Sequence, residues 1–190
     1  MKRLAVASVC IFVPCGCTTA SSGATDQAPA PEPTTLPWVC GQEYENYAWG
    51  YQRRGVVLAG DGSIWRYDVK GSPATPPNSW HPKDMNALTE AELRVRYNGA
   101  IDTGKRVPID DIAQHLPLVR EAATTPPTEG RNAAADMGEK TLYCLVRNVP
   151  YGTYRQVLID QKGDFDRTNP SSAAKALAAW LDGVFKATSN

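Results

Sequence analysis

Apolar positions along this chain fall into a few separated stretches, each with its own period. Leu4–Pro14 is almost continuously apolar, within the roughly 7–15 residues of a signal-peptide core and short of the ~20 that a membrane-spanning helix needs. Thr18–Pro37 has no apolar periodicity. Trp38–Tyr51 is aromatic: Tyr47, Trp49 and Tyr51 alternate as on one face of a strand, with Asn46, Ala48 and Gly50 opposite, while Tyr44, Tyr47 and Tyr51 also fit a helical face. Val56–Leu58 and Ile64–Tyr67 flank Gly60-Asp61-Gly62, and Asp-Gly between apolar runs predicts a hairpin. After a loop with Pro73, Pro76, Pro77 and Pro82, a helix is predicted to start at Thr89. Thr89 caps it, Glu92 reaches back, Leu88 staples to Leu93, and Asn98-Gly99 ends it. A second helix opens at Asp110, to be kinked or divided by Pro117. Thr124–Lys140 reads as a polar loop. Leu142–Arg147 and Tyr154–Ile159 form a second predicted hairpin about Asn148–Gly152. In the last helix Asn169 is the expected cap, Pro170 the first helical position, and Ala174, Leu177, Leu181, Val184 and Phe185 the buried face. Segregated strands and helices predict an α+β fold: a small antiparallel sheet built from two hairpins, packed with about three helices.

The N-terminus changes the picture from a plain domain to an exported one. Lys2 and Arg3 precede the apolar core, and Cys10, Cys15 and Cys17 follow closely. Gly16-Cys17 resembles the end of a bacterial lipobox, where a small residue precedes the cysteine that is acylated and becomes the new N-terminus. Pro14 stands where that pattern has leucine. The resemblance implies a lipoprotein precursor with its signal peptide at 1–17 and its lipid on Cys17. Residues 18–37, rich in Thr, Ser, Ala and Pro, cannot bury enough surface to offset their ordering entropy and read as a disordered tether. Residues 38–190 then make one globular domain, facing the periplasm or the exterior and held to the membrane by the lipid. Cleavage near Thr18–Ala20 would give a secreted protein instead.

Charge and cysteine content narrow the partners. The chain has 20 basic and 20 acidic residues, and without Lys2 and Arg3 the acids are in slight excess. No basic run exceeds Arg53-Arg54, so no nucleic-acid partner is expected. Cys40 and Cys144 are the cysteines left in the domain, and in an exported protein they are expected to form a disulfide.

Candidate chemistry is sparse. Ser172-Ala-Ala-Lys175 resembles the Ser-x-x-Lys of penicillin-binding proteins and β-lactamases, whose lysine eases deprotonation of the serine. The Ser-Asp-Asn and Lys-Thr-Gly partners of that family are missing, and the motif reads as a first-turn serine and a solvent-facing lysine. Asp160, Asp164, Asp166 and Asn169 gather oxygens around a turn and form a calcium candidate, although the spacing is not that of an EF-hand loop. Tyr47, Trp49 and Tyr51 form a candidate binding face for a glycan or a partner's apolar residues, with Trp49 expected buried and Tyr51 at least partly exposed. His81 is a candidate general base if paired with Asp84, and His115 falls mid-helix. No cofactor or metal site is expected. The functional expectation is a non-catalytic binding or assembly domain for an unknown envelope protein or glycan. The alternative is a small envelope hydrolase acting on peptidoglycan or polysaccharide.

Overall fold

The structure is a computed structural model and describes residues 39–46, 48, 50–71 and 86–187. The signal segment 1–17, the tether 18–37, Tyr47, Trp49 and His81 lie outside the described residues. The elements are β1 (Cys40–Asn46), β2 (Gln52–Leu58), β3 (Ser63–Lys70), β4 (Leu88–Thr89), α1 (Glu90–Arg96), β5 (Ile101–Arg106), α2 (Ile109–Ala122), β6 (Arg131–Asn132), β7 (Glu139–Asn148), β8 (Thr153–Gly163), β9 (Phe165–Thr168) and α3 (Ser172–Lys186).

Both expected hairpins form, but the sheet is larger than they are. Among the described residues it has nine strands in the order β5-β3-β2-β1-β7-β8-β9-β6, with β4 also pairing β8, and its strand pairs are antiparallel. The Asp61 carboxylate accepts from the backbone N–H of Ser63 at 2.9 Å and closes the first hairpin. The strands that apolar alternation missed are polar or very short: β1 reads Cys-Gly-Gln-Glu-Tyr-Glu-Asn and β5 Ile-Asp-Thr-Gly-Lys-Arg. The Thr124–Lys140 stretch, expected as loop throughout, holds β6 and the start of β7.

Register gives the sheet two faces. On one, Cys40, Leu58, Ile64, Cys144, Val157 and Ile159 pack with Ile112, Leu116 and Val119 of α2 and Leu177, Leu181 and Phe185 of α3. On the other, Val57, Tyr67, Tyr143, Leu145 and Tyr154 pack with Leu93 and Tyr97 beneath α1. The α+β architecture with three helices therefore holds for the described residues, as one sheet covered by different helices on its two faces.

Cys40 and Cys144 are bonded and face each other in the β1–β7 ladder. The Leu145 N–H donates to the Val39 carbonyl at 2.8 Å. The next pair along, Cys40/Cys144, is then a non-hydrogen-bonded site, the closer of the two kinds of antiparallel pair. Their Cα atoms are 3.9 Å apart, below the usual disulfide span of about 4.4–6.8 Å, as this cross-strand position dictates.

Helix boundaries follow the expected capping at one end and depart from it at two others. Thr89 and Glu92 form the reciprocal capping box of α1, and Leu88 and Leu93 are both buried. Pro117 does not divide α2, which runs unbroken through it. The proline is on the exposed side, and Ile112, Leu116, Val119 and Ala122 hold the opposite stripe to the core. The cap of α3 is Ser171, not Asn169. Its hydroxyl accepts from the Ala174 N–H at 3.1 Å, which leaves Pro170 outside the helix.

Candidate functional site

The face under α1 carries a buried charge cluster that alternation alone would fill with apolar residues. Glu43 of β1, Arg53 of β2 and Arg96 at the end of α1 are all buried. Arg53 pairs with Glu43 through Nη1–Oε2 at 3.3 Å, and Arg96 pairs with the other carboxylate oxygen. Arg53 also donates to the Arg96 carbonyl at the C-terminal end of α1, where the helix dipole favours a cation. Tyr67 donates to Glu43 Oε2 at 2.8 Å, the Arg53 guanidinium lies 4.8 Å from the Tyr67 ring centre, and the Tyr97 and Tyr143 hydroxyls share a hydrogen bond. Burial by itself would push the Glu43 carboxyl up, but Arg96, Arg53 and the Tyr67 hydroxyl together hold it below its ordinary value. Burial, with Glu43 nearby, drives the Tyr67 and Tyr143 hydroxyls well above theirs.

Glycines make room for these tyrosines. Gly41 lies opposite Tyr143 and Gly55 opposite Tyr67. A Cβ on Gly41 would sit 2.6 Å from the Tyr143 hydroxyl, and one on Gly55 would sit 2.9 Å from that of Tyr67. Only a residue without a side chain lets the rings lie flat across the neighbouring strand.

Beyond the cluster the same face opens into a polar cleft of about 700 Å³. Glu43, Glu45, Arg96, Glu139, Thr141 and Gln161 line its inner part, and Thr124–Pro127, after α2, form the far wall. The cleft runs to the outer edge of β8, which pairs β4 at Thr153–Tyr154 and β9 at Asp160–Gln161 and has no strand partner between them among the described residues. Glu45 and Glu139 face each other directly across β1 and β7. Tyr51 donates to Glu45 Oε1 at 3.0 Å, and Gln161 donates to Glu139. Burial, reinforced by Glu45 and Asp164, keeps the Glu139 carboxyl above its usual value despite the Gln161 bond. This arrangement presents charged and amide groups at fixed positions to a polar ligand. The raised Glu139 carboxyl also holds a proton to higher pH than a free glutamate does.

No protein-family model, no curated protein and no solved structure matches the chain.

The residues singled out in the sequence fare differently. Tyr51 is 2% exposed rather than partly exposed. It sits between β1 and β2, and its hydroxyl is turned in to Glu45. The binding face is thus left with Tyr47 and Trp49, outside the described residues. The calcium candidates are engaged by protein groups, and Lys162 lies 3.7 Å from Asp160 and 3.9 Å from Asp166. Asp160 accepts from Thr168 at 2.7 Å, Asp164 from the Met137 N–H at 2.8 Å, and Asp166 lies 3.6 Å from Arg131. Asn169 is buried, donating to the carbonyls of Ala122 and Thr125. Among the described residues no group of three or more His, Cys, Asp or Glu is arranged to hold a metal ion. Ser172 and Lys175 are exposed on the first turn of α3. His115 is half-buried and stacks on Trp180 at 4.1 Å between ring centres, while the Trp180 indole donates to Asp111.

Sequence reasoning missed Glu43, Arg53, Arg96, Glu45 and Glu139. The available signal was the pair of glycines within strands, Gly41 before Gln42 and Gly55 after Arg54, each placed to admit a tyrosine from the next strand.

Proposed function

We propose that this chain is an exported, lipid-anchored protein of the bacterial cell envelope whose folded domain binds an envelope protein or glycan without transforming it. The observation that carries export is the Cys40–Cys144 disulfide at the middle of the sheet, since such bonds persist in oxidising compartments. It joins the N-terminal pattern of a basic start, a short apolar core, Cys17 and a proline-rich spacer. Binding is supported by a polar cleft whose wall is stiffened from behind by the buried Glu43–Arg53–Arg96 cluster. Among the described residues no helix is long and apolar enough to cross a membrane. Attachment is assigned to the lipid on Cys17 from the lipobox-like Gly16-Cys17. Mass spectrometry of the membrane fraction should find residues 1–17 removed and Cys17 acylated, and Cys17→Ser should release the protein. A soluble, unmodified product from the unaltered chain would sink the anchor.

A second reading, a small envelope hydrolase, is favoured by one observation: the facing pair Glu45 and Glu139, with the Glu139 carboxyl raised by burial. A raised carboxyl is the form of a general acid, and its activity would fall as pH rises through that pKa. Incubation with purified cell wall distinguishes the two. The binding reading expects the wall to retain the protein and stay insoluble. Release of soluble sugar fragments, abolished in Glu139→Gln, would establish the hydrolase.

A further inference from the structure

The helices α2 and α3 cover only part of their face of the sheet, and the uncovered part is basic. Register places Lys162, Lys140, Tyr44, Arg54 and Asp68 in one row, running straight across β8, β7, β1, β2 and β3. Arg66 stands beside the row on β3, next to Arg54. Arg54, Arg66 and Lys140 are exposed, and none of the three makes an ion pair among the described residues. Lys140 directly opposes Lys162, whose ammonium is turned to Asp160 at 3.7 Å and Asp166 at 3.9 Å, so among the described residues Lys140 is the cation of that pair left without an acid. Arg54 is held over the Tyr44 ring at 4.9 Å, and the Tyr44 hydroxyl is tied to the Met137 carbonyl at 3.0 Å, so that cation is positioned before any ligand arrives. The surface between Arg54, Arg66 and Lys140 is concave, a groove of about 540 Å³ that Gln42, Ile101 and Phe185 also line.

We propose that this groove binds a linear acidic glycan, laid across the strands so that its charged groups meet Lys140 and Arg54. The inference rests on the binding reading above and names both a surface and a ligand class for it. Lys140 and Arg54 are two strands apart, roughly 10 Å at the usual inter-strand spacing. That is about the repeat of a disaccharide carrying one acidic group. An arginine fork takes two oxygens of a carboxylate or phosphate at once. Gln42 and Asp68, in the same groove, offer partners to sugar hydroxyls, and Asp68 would repel a polymer charged at every unit. A membrane is the poorer fit, because a flat layer of headgroups does not enter a groove.

The test is binding of the full chain, in detergent, to hyaluronate, which carries one carboxylate per disaccharide, with dextran as the neutral glycan, phosphatidylglycerol vesicles as the lipid arm and single-stranded DNA as the densely charged arm. Hyaluronate should bind, weaken steeply with added salt, and lose at least tenfold in affinity in Arg54→Gln/Lys140→Gln. That variant should melt with the parent, since both side chains are exposed. Equal binding by the variant, equal binding of dextran, or preference for vesicles or DNA would each overturn the proposal. Release of soluble sugar from cell wall, abolished in Glu139→Gln, would defeat the binding reading while leaving this affinity measurement readable, so the two failures are distinguishable.

Discussion

Glu43 stands in a polar run, Gln42-Glu43-Tyr44-Glu45, and nothing local separates it from its neighbours. Its role appears only when β2 and α1 bring Arg53 and Arg96 to its two oxygens. Removing one member of such a buried set strands the others without a counter-charge, so Glu43→Gln should cost about 3–5 kcal/mol. The carboxyl is depressed in the fold, and the stability it contributes is therefore present above the unfolded value, about 4.3, and lost as pH falls through the folded one. Denaturant midpoints measured from neutral pH to pH 2 should fall more steeply for the parent than for Glu43→Gln. Parallel curves would remove the carboxylate from the account. Besides the Glu43 carboxylate, Arg53 meets the Arg96 carbonyl and the faces of Tyr67 and Tyr97.

At the scale of elements, features written in short-range chemistry were legible and features that depend on distant partners were not. The Asp61-Gly62 turn, the Thr89–Glu92 capping box and the apolar stripe of α3 each need only residues within a turn or two, and each forms as expected. β1 and β5 are polar sequences that become strands because their neighbours supply the hydrogen bonds and the covering side chains. Asn169 has the composition of a cap, yet its amide is taken by carbonyls that end α2. Sequence distance hid them: Ala122 is 47 residues away. The two residues can be told apart by truncation. Ser171→Ala should cost about 0.5–2 kcal/mol, as caps do. Asn169→Ala should cost about 1–3 kcal/mol through the carbonyls it leaves unbonded, and should also loosen the end of α2. Hydrogen exchange reads the second effect, and protection at Ala122–Thr125 unchanged by Asn169→Ala would refute the link.

For the whole molecule, the β1–β7 pair is where the two halves of the chain meet, and the disulfide sits on it with a separation of 104 residues. A loop that long loses considerable unfolded-state entropy on closure, so Cys40→Ala/Cys144→Ala should lower stability by about 2–5 kcal/mol. A melting temperature unaffected by the double substitution would show that the sheet holds these strands unaided. The same topology sets an order of events. β1 is the first strand made, yet it belongs in the interior of the sheet, with β2 on one side and β7 on the other. Its β2 side can zip up at once as a three-strand meander through β3, while its other edge waits for a strand about a hundred residues later. Until then the outer edge of β1 and the Cys40 thiol stand open side by side. That wait makes folding slow, in the manner of sheets dominated by distant pairings. It also makes the emergence of β7 the moment at which the edge is covered and the thiol finds its partner.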